Sequence, residues 1–193
     1  RGAGDAAAPP PEITVEANPL DVTPEFAAGC LDAGFNRISI GVQSIIEDDL
    51  RFLGRTHRAP DGPLAVETAR DAGFTEIGID LIYGLPKQTP AMLRERIALA
   101  VEACRPTHVS CYQLTIHEAT PLHADLRAGR IAEPDEEAQL ALLRCVHETL
   151  AALGYPAYEV SNFSLGDKHR SRHNSKYWSG APYIGLGPAA HSF

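Results

Sequence analysis

The chain has 193 residues, of which 44% are hydrophobic and 22% charged, and 17 basic against 25 acidic side chains give a formal net charge of −8. This length supplies a hydrophobic core without disulfide or metal staples, and the composition excludes a disordered or collagen-like chain although Gly and Pro number 16 and 15. The acidic balance disfavours a nucleic-acid partner, which would need clustered Lys and Arg, and no apolar run reaches the roughly 18 residues of a bilayer span.

The opening, Arg1 to Pro11, is Ala, Gly and Pro with one Asp, and reads as a flexible segment over 1–11. From residue 12 to 193 the chain reads as one folded unit. Glu12 to Ala17 alternates with β-branched residues and is closed by Asn18-Pro19, which predicts a strand and a turn. Thr23-Pro24-Glu25 supplies an N-cap, a Pro at the first helical position and an acidic first turn, so a helix runs to Gly34. Strand returns at Arg37 to Val42. A helix from Gly62 to Ala72 leads into a strand at Glu76 to Ile82. Thr89-Pro90 opens a helix with Leu93, Ile97, Ala100 and Val101 on one face, and His108 to Leu114 is the next strand. A helix from Pro134 to Leu153 turns Leu142, Leu143, Val146, Leu150 and Leu153 inward, and a strand is expected at Ala157 to Val160.

Three helix ends share one grammar: Ala33-Gly34-Phe35, Ala72-Gly73-Phe74 and Leu153-Gly154-Tyr155. Gly after the last turn takes the left-handed conformation and the aromatic packs back. Strict strand–helix alternation predicts parallel βαβ units, in a whole or partial (β/α) barrel or in an open doubly wound sheet. Every predicted strand ends on a polar residue: Glu16, Gln43, Asp80, Gln113 and Glu159. In a barrel such ends meet at one mouth, where sites are built. The absence of a Gly-rich phosphate loop after the first strand favours the barrel.

Four segments carry a resemblance. They are Val15-Glu16-Ala17-Asn18-Pro19, Arg37 to Ser44 (RISIGVQS), Asp80 to Thr89 (DLIYGLPKQT) and Ser171 to Trp178 (SRHNSKYW). Together they resemble the radical S-adenosylmethionine proteins related to oxygen-independent coproporphyrinogen III oxidase (HemN), nearest to the branch of heme chaperones (HemW). The resemblance implies an α/β fold, a partial (β/α)6 TIM-like barrel of the radical SAM type, of which this chain would hold about strands three to six.

It also implies roles. Glu16, Gln43, an Arg on the following helix (Arg55) and Asp80 would contact S-adenosylmethionine. Their chemistry agrees, since a guanidinium forks a carboxylate while carboxylates and an amide accept from ammonium and hydroxyl groups. The bland reading of Arg55 is a solvated charge neutralised by Glu47, Asp48 or Asp49. The segment His173-Asn174-Ser175-Lys176-Tyr177 fits the HNxxY motif that the heme-chaperone branch uses for heme, with His173 as heme-iron ligand. Gly185 to Ser192 resembles the same branch, with Ala189 standing where many relatives have Gly.

The family's 4Fe–4S cluster needs three thiolates in C-x3-C-x2-C, and no such triplet occurs here. Cys30, Cys104, Cys111 and Cys145 have neither that spacing nor a zinc pattern and read as reduced, mostly buried thiols. The cluster ligands are thus expected outside this chain, and these residues alone are expected to be inactive toward S-adenosylmethionine. A soluble cytoplasmic protein is expected, binding heme or porphyrin and serving heme-receiving proteins, with no nucleic acid. The alternatives are a coproporphyrinogen III oxidase and, more remotely, a barrel enzyme with Glu16 and Asp80 as an acid–base pair.

Overall fold

The computed structural model describes residues 10–193. The flexible segment expected over 1–11 therefore lies outside the described residues as far as residue 9. Pro10 and Pro11 are tied down, their carbonyls accepting from Arg172 at 2.6 Å and Asn36 at 2.8 Å.

The elements follow in chain order as β1 (Thr14–Ala17), α1 (Pro24–Asp32), β2 (Arg37–Gln43), α2 (Glu47–Phe52), α3 (Asp61–Ala72), β3 (Glu76–Tyr83), α4 (Pro90–Cys104), β4 (His108–Gln113), α5 (Pro121–Arg127), α6 (Glu136–Ala152), β5 (Asn162–Ser164) and α7 (Arg172–Ser179). They build one five-stranded sheet in the order β1-β2-β3-β4-β5, with β1 to β4 parallel. Thr23 and Thr89 cap α1 and α4 through their side chains, each followed by Pro in the first turn. The three Gly-aromatic ends close as expected: Phe35, Phe74 and Tyr155 donate their N–H to Cys30, Ala69 and Leu150 at 2.8–3.1 Å, across glycines with φ of 93°, 119° and 90°.

The two faces of the sheet differ in chemistry. Ile38, Ile40, Val42, Ile77, Ile79, Leu81, Val109 and Cys111 point to the helical layer and are buried there with Val66, Leu93, Ile97 and Val146. Each fully buried Ile or Leu contributes about 2 kcal/mol. The opposite face carries Thr14 and Glu16, then Arg37, Ser39 and Gln43, then Gly78 and Asp80, then His108, Ser110 and Tyr112. Parallel strands covered on both sides are usually apolar throughout. Here the second face is polar and small, because it lines a lumen instead of a packed layer.

Three expectations are corrected. Ala157 to Val160 is not a strand: after Pro156 the chain bends, Tyr158 N–H donates to Asn162 O at 3.1 Å, and the strand that forms is β5, antiparallel to β4. Proline removes a ladder donor and the following turn reverses direction, so parallel alternation stops at β4. Leu153 lies beyond α6 and is 38% exposed, so it does not pack inward. Arg55 is not on a helix, since α2 ends at Phe52 and Arg55 follows in the loop. Helices α5 and α7 were not anticipated; their N-caps, Thr120 and Ser171, are visible in the sequence only once a helix is suspected.

Candidate binding lumen and motif helix

The register places the lumen residues side by side: Glu16 beside Ser39, Ser39 beside Gly78, Asp80 beside Ser110. Ser39 Oγ donates to Asp80 Oδ1 at 3.1 Å. Burial raises the Asp80 pKa; hydrogen bonds from Ser110 and Ser39 oppose the rise and the Glu16 charge adds to it. Glu16 and Asp80 line a cavity of about 370 Å³ and also an adjoining one of about 320 Å³ that holds Gln43, Asn18 and Asp21. The second cavity has three carboxylates and no cationic side chain among its lining residues. It is built to accept from ammonium and hydroxyl groups.

Gln43 reaches this cavity by a local irregularity. The pairing of β2 with β3 slips between Ile40 and Gln43, and Gln43 has φ of 63°. A bulge of this kind re-aims a side chain, and a non-Gly residue in the left-handed region carries strain. Its amide Nε2 folds back over Gly41, 2.7 Å from where a β-carbon at 41 would sit.

Arg55 lies one cavity further out, in a space of about 240 Å³ that shares Asn18 and Asp21 with the Gln43 cavity. Arg55 is exposed, as a solvated charge would be, but the three neighbouring carboxylates do not neutralise it. Asp48 pairs with Arg51, Asp49 with Arg96, and Glu47 accepts from Ala59 N–H, while Arg55 has no ion-pair partner among the described residues. The other two strand-end residues do not join the site. Gln113 donates to Gln139 at 2.9 Å, and Glu159 sits in the bend before β5, accepting from Ser161 N–H at 3.0 Å.

The segment 169–174 docks at the opposite end of the strands, against the first residues of β2, β3 and β4. The Arg37 guanidinium is buried there, paired with Glu12 at 3.1 Å and Glu76 at 3.4 Å and donating to the carbonyls of His169 and Arg170. His169 Nδ1 lies 2.9 Å from both Glu76 oxygens. Burial would raise the Glu12 pKa, but hydrogen bonds from the His173 and Arg172 N–H groups and the Arg37 charge outweigh it and hold the carboxyl below its ordinary range. On this floor stands α7, with Ser171 as its N-cap and Gly180 ending it at φ of 66°.

The three motif residues differ in exposure. His173 and Tyr177 are exposed, one turn apart, with Tyr177 OH 3.1 Å from His173 Nε2 and the rings edge-on at 5.0 Å. Tyr177 in turn meets Tyr183 at 4.8 Å, and Tyr183 stacks on Phe193. Asn174 is half-buried and, like His173, lines the lumen cavity with His108 and Asp80. Ala189 has φ of 60°, a left-handed conformation that favours Gly and strains Ala.

The four cysteines do not fit an iron–sulfur cluster. All are free and buried. Burial pushes the Cys104 thiol up to about 11 and the Cys111 thiol higher still, the reverse of what a thiolate ligand needs. No group of three metal-ligating side chains occurs among the described residues. The lumen donor set does fit S-adenosylmethionine.

Sequence reasoning missed Ser39, Ser110, Tyr112, His108, Arg37 and Tyr158. The signal was present in β2 as Arg37, Ser39, Gly41 and Gln43 at every second position, a polar face on a parallel strand.

A family model for the radical SAM superfamily matches residues 4–100, just over half of the chain. Heme chaperone HemW of Mycobacterium tuberculosis is 37% identical over 186 residues, covering 96% of this chain and 47% of that protein. HemW of Bacillus subtilis is 37% identical over 184 residues, and a mitochondrial radical S-adenosyl methionine domain-containing protein 1 of Danio rerio is 36% identical over 183. The chain thus spans about half the length of the curated relatives it matches. Coproporphyrinogen III oxidase (HemN) of Escherichia coli superposes with a TM-score of 0.74 at 25% identity, covering 94% of this chain and 44% of that one. That superposition assigns the parallel strands and their polar lumen to part of a radical SAM barrel. With the family model matched across β1 to β3 and most of α4, where Glu16, Gln43 and Asp80 stand, this chain belongs to the radical SAM superfamily.

Proposed function

We propose that the chain is the S-adenosylmethionine-contacting part of a HemW-type heme chaperone, with the heme-binding helix attached to it. The observation that carries this reading is α7, which presents His173 and Tyr177 together to solvent while its base is fixed to the barrel floor by Glu12 and Arg37. An accessible imidazole one turn from a phenol offers an iron ligand and a flanking aromatic ring. Relatives 37% identical over nearly the whole chain bear the heme-chaperone name.

In this reading Glu16, Asp80 and Gln43 receive the ammonium and hydroxyl groups of S-adenosylmethionine, and Arg55 receives its carboxylate. When bound to a 4Fe–4S cluster held by residues outside this chain, that molecule supplies radical chemistry. The residues here bind and orient it. Heme would pass from α7 to heme-receiving proteins, and a cytoplasmic setting belongs to the same proposal; no described helix is long and apolar enough to cross a membrane.

A second reading, oxidative decarboxylation of coproporphyrinogen III, is favoured by the superposition on HemN. The test is a hemin titration of the intact protein against His173→Ala and Tyr177→Phe. The chaperone reading expects weaker binding and a displaced Soret band in the His173 variant; equal binding in both variants, with protoporphyrinogen formed anaerobically, would favour the oxidase.

A further inference from the structure

Tyr158 is a residue that neither the barrel nor the heme motif assigns, yet β4 and the N-cap of α7 meet at its phenol oxygen. His108 Nε2, at the start of β4, lies 2.7 Å away. The Ser171 backbone N–H, at the N-cap of α7, donates to it at 3.3 Å. The Asn174 side chain also acts on this phenol, lowering its pKa against the rise that burial causes. The ring is held as well: the Arg170 guanidinium lies 5.7 Å from its centroid, and the rings of His108 and Tyr158 are tilted at 5.7 Å.

One set of directions satisfies these bonds. With the Ser171 N–H donated to the phenol oxygen, the phenol proton can go to His108 Nε2. Burial and the Arg37 charge lower the His108 pKa to about 3, so the imidazole is neutral and one ring nitrogen is free to accept. Its other nitrogen then carries the proton over Gly78, in the lumen that Asp80 lines. Asn174 is half-buried, whereas its motif partners His173 and Tyr177 are exposed.

We propose that Tyr158 is a positioning residue for heme binding, clamping the base of α7 to β4 through Ser171 and His108 so that His173 and Tyr177 stand in a fixed orientation toward a tetrapyrrole. This rests on the heme reading above. The bend that replaces the expected strand at 157–160 acquires a purpose: it delivers Tyr158 to this junction.

The test uses the intact protein and Tyr158→Phe, which removes one oxygen. Hydrogen exchange at Ser171 N–H, read without heme, should quicken about fivefold, the effect of one lost hydrogen bond of about 1 kcal/mol. Hemin affinity should fall about tenfold with a displaced Soret band, while S-adenosylmethionine affinity stays unchanged. Equal losses for both ligands, or faster exchange throughout the sheet, would mark a merely structural residue and overturn the proposal; so would unchanged exchange at Ser171. Should Tyr158→Phe fail to fold, His108→Leu and His108→Gln carry the test, the first reproducing the hemin defect and the second, which keeps an acceptor, sparing it. Identical behaviour of the two overturns it. A wild-type protein that binds no hemin defeats the heme reading and this inference with it, whereas apo-protein exchange at Ser171 tests the clamp by itself.

Discussion

The Glu12 carboxylate accepts the backbone N–H of His173 at 3.0 Å, joining residues 161 positions apart. The residue just ahead of the first strand therefore caps the helix that carries His173 and Tyr177, and the same carboxylate pairs with buried Arg37. Removing one partner of a buried pair leaves the other charge uncompensated. Glu12→Ala should destabilise the intact protein by about 3 kcal/mol in denaturant titration. Glu12→Gln, which still accepts from His173, should cost less than half of that. Equal stability of Glu12→Ala and wild type would show that the ion pair is not formed.

Acid should weaken the same floor in two stages. The His108 pKa is depressed in the fold to about 3 from its usual 6.5, so the unfolded chain binds the extra proton first and stability falls as pH drops below 6.5. The Glu12 pKa is lowered as well, so its contribution is complete above the ordinary carboxylate value of 4.5 and is lost as pH falls through the folded-state value. Melting temperature should thus decline from pH 6.5 downward, more steeply below 4.5. His108→Gln should flatten the upper stage and leave the lower one; a profile flat to pH 4.5 in the wild type contradicts the His108 assignment.

The parallel half of this fold was legible because its signals are local. Thr-Pro caps, Gly-aromatic stops and apolar alternation each depend on neighbours within a turn, and they placed β1 to β4 and the crossover helices to within a few residues. The lumen was legible at Glu16, Gln43 and Asp80 only through strand ends and the family resemblance. Arg37, His108 and Tyr158 were not, because their partners lie 13 to 133 residues away and no local pattern marks a buried guanidinium or a phenol shared between β4 and α7. Ala157 to Val160 misled for the converse reason: four residues with strand composition satisfy the pattern, and only pairing of Tyr158 with Asn162 across the bend decides against it.

Asp80 should trade stability for binding. Its pKa is raised by burial and by Glu16, so at neutral pH the fold carries the penalty of an ionised carboxylate with only hydroxyl partners. Asp80→Asn should raise the melting temperature at pH 7. The gain should shrink as pH falls through the folded-state pKa and vanish below the ordinary value of 3.8, where both states are protonated. The same variant should weaken S-adenosylmethionine binding about tenfold by calorimetry, the cost of losing one charge-assisted acceptor. A less stable variant with intact binding would refute both parts.

Gly41 separates the seat of Gln43 from the stability of the sheet. A β-carbon at 41 would meet Gln43 Nε2 at 2.7 Å, but its next contact, the Ala17 carbonyl, is at 3.8 Å. The obstacle is the end of a flexible side chain, so Gly41→Ala should fold normally, with stability within about 1 kcal/mol of wild type because the unfolded chain also loses freedom. The Gln43 amide must swing out, and its left-handed backbone gives it few alternative directions into the cavity. S-adenosylmethionine affinity in the intact protein should fall about as far as in Gln43→Ala, and the double variant should be no worse than either single one, since both remove the same contact. Additive losses would mean that Gly41 acts by another route, through the space it leaves in the lumen rather than through Gln43.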